Sequence, residues 1–231
     1  MSKKLRPWFF LSAGLIVLTV AFYTLQMPNK SGRVFAQEDA PVESSPSASS
    51  LEDLVKPRVM GDPTAPIRLE EFASLSCSHC ADFHLKTLPE IKKNYIDTGK
   101  AYLVFNDFPL NASALHGSMT ARCVPEARYF DFIKLLFEKQ ADWAFKENFG
   151  QILGQYASLL GLGKDAYESC LKNEELQKGL IANVSAAQEK WKISSTPSFV
   201  INDSDVVSGA QAYKTFEEKF EAILKSQNIA E

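Results

Sequence analysis

A chain of 231 residues, 45% hydrophobic and 23% charged, holds enough apolar material for one large domain or one domain with an insertion, and is too apolar to be largely disordered. Its net charge of −3 leaves no basic footprint for nucleic acid. Five of the 25 bases and none of the 28 acids precede residue 37, so the remainder carries −8, which suits neither a polyanion nor an anionic membrane surface.

Residues 1–7 are a short basic stub containing Lys3, Lys4 and Arg6. Trp8 to Leu25 then run apolar and uncharged for 18 residues, long for a signal-peptide core and just long enough to span a bilayer. The bases in front hold the N-terminus in the cytoplasm and send the C-terminal part of the chain across. The tripeptide VFA at 34–36 resembles a small-residue cleavage site, but Lys30 and Arg33 separate it from the apolar run. Residues 8–25 are therefore expected to be a transmembrane anchor or a signal peptide. Either one exports the rest of the chain to an oxidising compartment, where disulfide chemistry is expected. Residues 26–51, which include QEDAPVESSPSASS at 37–50, read as a flexible Pro/Ser-rich linker.

Folding is expected from residue 52 to 231. IRLEEFASLS (67–76) has strand character and ends at the pair Cys77 and Cys80. Phe83, Leu88, Ile91 and Tyr95 fall at helical spacing after it, with a kink expected at Pro89 and a restart from a Thr87/Glu90 capping box. AYLVFNDFPL (101–110) is a second strand. Residues from about 112 to 190 read as an all-helical insertion, in which Phe130, Ile133 and Phe137 share one face and Ile152, Leu153, Tyr156, Leu159 and Leu160 another. PSFVIN (197–202) and VVSGAQ (206–211) are further strands, and 212–226 is an amphipathic helix with Phe216, Phe220, Ile223 and Leu224 inward. Strands alternating with helices predict an α/β sheet covered by helices.

The cysteine pair carries the chemistry. Zinc requires four ligands; His84 supplies one candidate beyond the pair, and the next cysteines lie far along the chain. Covalent haem requires His directly after the second cysteine, where Ala81 stands. Soft thiolates suit Cu(I), which leaves a copper- or zinc-binding assembly factor as an alternative class. An inert disulfide across two residues removes little entropy from the unfolded chain. A redox pair fits best. At a helix N-terminus the free amides stabilise a thiolate, so Cys77 is the expected nucleophile and Cys80 the resolving thiol one turn inside. His79 between them adds a polar, ionisable neighbour; stabilising the reduced form makes the disulfide a stronger oxidant.

EEFASLSCSHC, the kinked helix, the helical insertion with LGLGKDAYESCL, and TPSFVIN together resemble the DsbA-like thioredoxin family over about residues 52–226. The resemblance implies a thioredoxin fold with an inserted helical domain, here preceded by an N-terminal membrane segment. It implies a protein disulfide oxidoreductase of the oxidising Cys-x-His-Cys type, with no cofactor beyond the redox-active disulfide Cys77–Cys80 and no metal. It also implies a cis Thr196–Pro197 bond against the cysteine pair, so that Ser78, Thr196 and Pro197 meet substrate. Lacking an N–H, Pro197 leaves the Thr196 backbone to pair with an extended substrate. Glu71 matches the family's buried acid, expected to relay a proton near Cys80 as a group whose burial raises its pKa; Glu70 should point to the opposite face. Ser78 stands where that family commonly has proline. The implied partners are unfolded or reduced exported proteins and a DsbB-like membrane protein that reoxidises the pair, in the periplasm, with the chain either anchored in the inner membrane or released.

Cys123 and Cys170 lie in the helical block. In an oxidising compartment two lone cysteines are expected to form a structural disulfide; the rival is two buried thiols too far apart to bond. Isomerase or reductase chemistry at the same site is the alternative within the enzyme class. Family isomerases dimerise through a separate N-terminal module; residues 37–50 are too few to build one, which points to a monomer.

Overall fold

The structure, a computed structural model, describes residues 51–227. The expected basic stub, apolar segment and all of the linker before Leu51 lie outside the described residues. Among the described residues no helix is long and apolar enough to cross a membrane.

The sheet has five strands in the order β1 (Arg58–Met60), β3 (Ala101–Asp107), β2 (Ile67–Ala73), β4 (Ser198–Ile201), β5 (Asp205–Ser208). β2 and β3 run parallel, and the other three pairings are antiparallel. β2 and β3 are thus joined by a helical crossover, as parallel neighbours require. β2 is buried on both faces. Its alternate residues Ile67 and Leu69 meet Phe199, Phe216 and Phe220 on one face, whereas Phe72 meets Phe108, Ala187 and Val200 on the other.

The first face is covered by the helical segment after the cysteines and by α10 (Tyr213–Ser226), whose Phe216, Phe220 and Leu224 are buried at helical spacing. The second is covered by α9 (Glu174–Trp191). α4 (Ala112–Cys123), α5 (Tyr129–Glu138), α6 (Gln140–Trp143), α7 (Phe149–Leu159) and α8 (Lys164–Leu171) form the remainder of the helical block. Their largest buried residue is Trp143, whose indole N–H donates to Leu136 O at 2.8 Å.

Several expectations are corrected. A short helix α1 (Leu51–Val55) and the edge strand β1 precede the first expected strand. The helix after Cys77 does not restart from a capping box. It runs as α2 (Ser78–Asp82), a wider π-turn stretch Phe83–Thr87, α3 (Leu88–Ile91) and a second π stretch Lys92–Ile96. Thr87 keeps helical backbone angles, and its hydroxyl donates across to Gln211 O at 3.2 Å. The wider turns carry the chain past Pro89, whose missing N–H a regular ladder would require. Leu159 is 73% exposed, so the α7 stripe narrows to Leu153 and Ala157 with Ile152, Tyr156 and Leu160 at its edges.

Candidate active site

β2 delivers the chain to the cysteines. Ser74 to Ser76 form a buried turn, in which Cys77 N–H donates to Ser74 O at 3.0 Å. Cys77 is then the extended residue that starts α2, and its carbonyl accepts from Ala81 N–H at 3.1 Å. Both cysteines are free thiols here; Cys77 is half-buried and Cys80 fully buried.

The two sulfurs are electrostatic opposites. The pKa of Cys77 is lowered to about 5, first by the hydrogen bond that Cys80 donates to it and then by Thr196 and the backbone N–H groups of Cys80 and His79, against the opposing effect of partial burial. Cys80 is pushed far above the ordinary thiol range, first by burial, then by that same hydrogen bond and by the charges of Glu71 and Cys77. His79 therefore helps through its backbone N–H. Its side chain is exposed and lines an open cleft with Asp82, Lys86, Glu90, Gln211 and Tyr213.

The Thr196–Pro197 bond is cis, and both residues are buried. Thr196 O lies 3.3 Å from Cys77 Sγ, so the loop before β4 touches the exposed sulfur. Ser78 is exposed beside it. Glu71 is fully buried on β2, one strand position from Glu70, which faces the other way toward Asn106 and Arg68. Glu70 is buried too, because α9 covers that face; burial raises its pKa.

Cys123 and Cys170 are joined by a disulfide between α4 and α8. Among the described residues no three His, Cys, Asp or Glu side chains gather as a metal ion would require.

The sequence gives Gln140 no role and offers His84 only as a candidate zinc ligand. Gln140, buried at the start of α6, donates from its amide to Leu75 O at 2.8 Å and to Cys77 O at 3.0 Å, tying the helical block to the cysteine turn. His84 is buried against Glu71, with Nε2 3.0 Å from each carboxylate oxygen. The signal for both was a polar side chain at an apolar-face position.

A Cys-x-x-Cys pair at the start of a helix, faced by the cis-proline loop that leads into an inner strand of a mixed sheet, defines a thioredoxin-fold redox centre. A family profile described as thioredoxin matches residues 53–223. The crystal structure of Wolbachia pipientis alpha-DsbA1 superposes with a TM-score of 0.69 at 30% identity, covering 77% of this chain and 97% of that one. Among curated relatives, a Rickettsia prowazekii protein named as a protein-disulfide oxidoreductase is 31% identical over 145 residues, 62% of this chain and 53% of its own. Disulfide bond formation protein D of Bacillus subtilis is 27% identical over 184 residues, 73% of this chain and 78% of its own. The chain spans about half the length of the Rickettsia relatives it matches. The chain belongs to the DsbA-like thioredoxin family.

Proposed function

We propose that the chain is an exported protein disulfide oxidoreductase that donates disulfides to reduced proteins through Cys77 and Cys80. The observation that carries this reading is the asymmetry of the two sulfurs: a half-buried Cys77 whose pKa lies near 5, beside a buried Cys80 held as the thiol. A thiolate so stabilised makes the reduced pair a good leaving state, and the disulfide correspondingly oxidising.

A substrate thiolate attacks Cys77 of the oxidised pair, forming a substrate–Cys77 disulfide and releasing Cys80, which takes up a proton. A second substrate thiolate attacks the substrate sulfur of that bond. The substrate leaves oxidised by two electrons, and Cys77 leaves as a stable thiolate. The cis Thr196–Pro197 loop against Cys77 supports an extended substrate segment lying alongside, with Ser78 at its edge. Reoxidation requires a membrane disulfide donor of the DsbB kind, in keeping with the apolar N-terminal segment and a periplasmic location. The names of the Rickettsia and Bacillus relatives support the same chemistry.

Substitution tests this directly. Cys77→Ser should abolish disulfide transfer to a reduced client, and Cys80→Ser should accumulate mixed disulfides at Cys77. A Cys77→Ser chain with full transfer activity would sink the reading.

A further inference from the structure

Disulfide exchange through Cys77 and Cys80 leaves buried His84 without a part, although it holds Glu71, the acid that the family resemblance places as a proton relay near Cys80. Glu71 has no exposed surface and His84 is 8% exposed. A carboxylate only accepts, so His84 Nε2–H is the donor, shared between the two oxygens 3.0 Å away. Aromatic walls fix the ring. Its centroid lies 4.3 Å from that of Phe137 on α5, and it meets Phe83 and Phe105 edge-on at 5.6 and 5.7 Å.

Burial without a donor drives a carboxylate to take up a proton. The His84 imidazole N–H supplies that donor to Glu71. A proton acceptor is needed at Cys80, a buried thiol whose ionisation the charge of Glu71 opposes. A Cys80 thiolate beside a Glu71 carboxylate would place two negative charges in one apolar pocket. Passing the Cys80 proton to Glu71 keeps the number of charges the same.

The geometry points to His84 as the positioning residue that holds Glu71 ready to take the Cys80 proton when Cys80 attacks a mixed disulfide at Cys77. This rests on the proposed disulfide exchange. The Cys80 S–H bond breaks and its proton goes to a Glu71 oxygen, directly or through one water. The sulfur's electron pair forms the Cys77–Cys80 bond, the Cys77–partner bond breaks, and the partner leaves as a thiolate. That thiolate takes a proton from solvent, and Glu71 later returns its own.

Few other titratable groups face the pair. α2 contributes Cys77 and Cys80. Tyr129, at the start of α5, feels Glu71 but is a buried phenol whose pKa burial raises, so it stays neutral. Asp107, Arg122 and Arg58 act on Tyr129 and lie beyond it. The rings packed against His84, those of Phe83, Phe105 and Phe137, do not titrate.

The test uses the full reduced chain in detergent, mixed rapidly with oxidised glutathione. Acid quench and mass spectrometry track the Cys77–glutathione intermediate, which Cys77 forms and Cys80 removes by ring closure. His84→Phe keeps the aromatic packing without the donor, and His84→Gln keeps an N–H. At pH 6, ring closure should fall about tenfold in His84→Phe, with its rise against pH displaced upward by about one unit, and His84→Gln should recover most of the loss. Formation of the intermediate, which reports Cys77 and an intact fold, should change by less than about threefold. A His84→Phe chain that forms the intermediate normally and closes with the wild-type pH profile overturns the inference. If the wild-type chain forms no intermediate at all, the exchange reading itself fails and takes the inference with it. Should His84→Phe not fold, the wild-type imidazole ¹⁵N spectrum decides. An Nε2 signal that differs between dithiol and disulfide forms at pH 6 supports the coupling, and an identical one overturns it.

Discussion

The amide of Gln140 holds the carbonyl of Cys77 at 3.0 Å and that of Leu75 at 2.8 Å, so the helical block grips the cysteine turn. A single side chain bonds two carbonyls of the turn, that of Cys77 in addition to the bond it accepts from Ala81 N–H. Gln140→Leu removes both bonds while keeping the volume. A buried acceptor left unmade costs about 1–3 kcal/mol. Chemical denaturation of the variant should therefore show a stability loss of about 2 kcal/mol, with a measurable change in Cys77 alkylation rate. An unchanged midpoint and rate would mean the bond contributes neither stability nor positioning.

Cys77 should titrate far below an ordinary thiol. Thiolate absorbance near 240 nm in a Cys80→Ala chain would report only this sulfur of the active-site pair, but that substitution also removes its principal hydrogen-bond donor, so the wild-type chain is the proper sample. Its midpoint is expected at about 5. Proton binding sets the sign of the effect on stability. The folded dithiol form binds fewer protons than the unfolded one between about 5 and the ordinary thiol value of 9.0. The stability that Cys77 lends the dithiol form relative to the disulfide form therefore rises with pH across that window and is lost as pH falls through about 5; above 9.0 the raised pKa of Cys80 acts in the opposite sense. Thermal denaturation of both redox forms at pH 4.5 and 8 measures it. An ordinary midpoint near 9 would remove the basis for the oxidising assignment.

How much of this was legible from sequence varied with the range of the interaction. The β2–Cys77–α2 unit and the β4–β5–α10 end were legible because their periodicities are local and long enough to read. β1, at three residues, is too short to show alternation and owes its existence to pairing with β3. The π stretches after Phe83 reflect packing around Pro89 that helix-cap rules do not encode. Gln140 and His84 lie 63 and 13 residues from their partners, so neither role is written in adjacent residues. Glu70 illustrates the same limit: strand alternation put it on the other face, but only α9 explains its burial.

The Cys123–Cys170 disulfide joins positions 47 apart in α4 and α8. In the chain-entropy account a loop of that size stabilises by about 4 kcal/mol. The double variant Cys123→Ala/Cys170→Ala should lose roughly that amount in denaturant, less whatever residual structure the unfolded chain retains. A loss below about 1 kcal/mol would show that the link is not a main structural tie.

Asp107 and Arg122 form a pair whose side chains are each 1% exposed, with Nη2 and Nε on one carboxylate oxygen. Arg122 also donates to the carbonyls of Leu54 and Lys56, fastening α1 to α4. Asp107→Ala strands a buried guanidinium and should cost about 3–5 kcal/mol. Limited proteolysis would register it as early cleavage near residues 54–57. Wild-type stability and protection in Asp107→Ala would contradict the buried-pair account.

Under the proposed function the surroundings of Cys77 and Cys80 favour the dithiol, so that the pair gives its disulfide away. Equilibrating the full chain in detergent with glutathione buffers, and reading the fraction oxidised, measures this most directly. The expected reduction potential is about −120 mV, the range of strong disulfide donors. A value at about −230 mV or lower would contradict it and assign the pair to reduction instead.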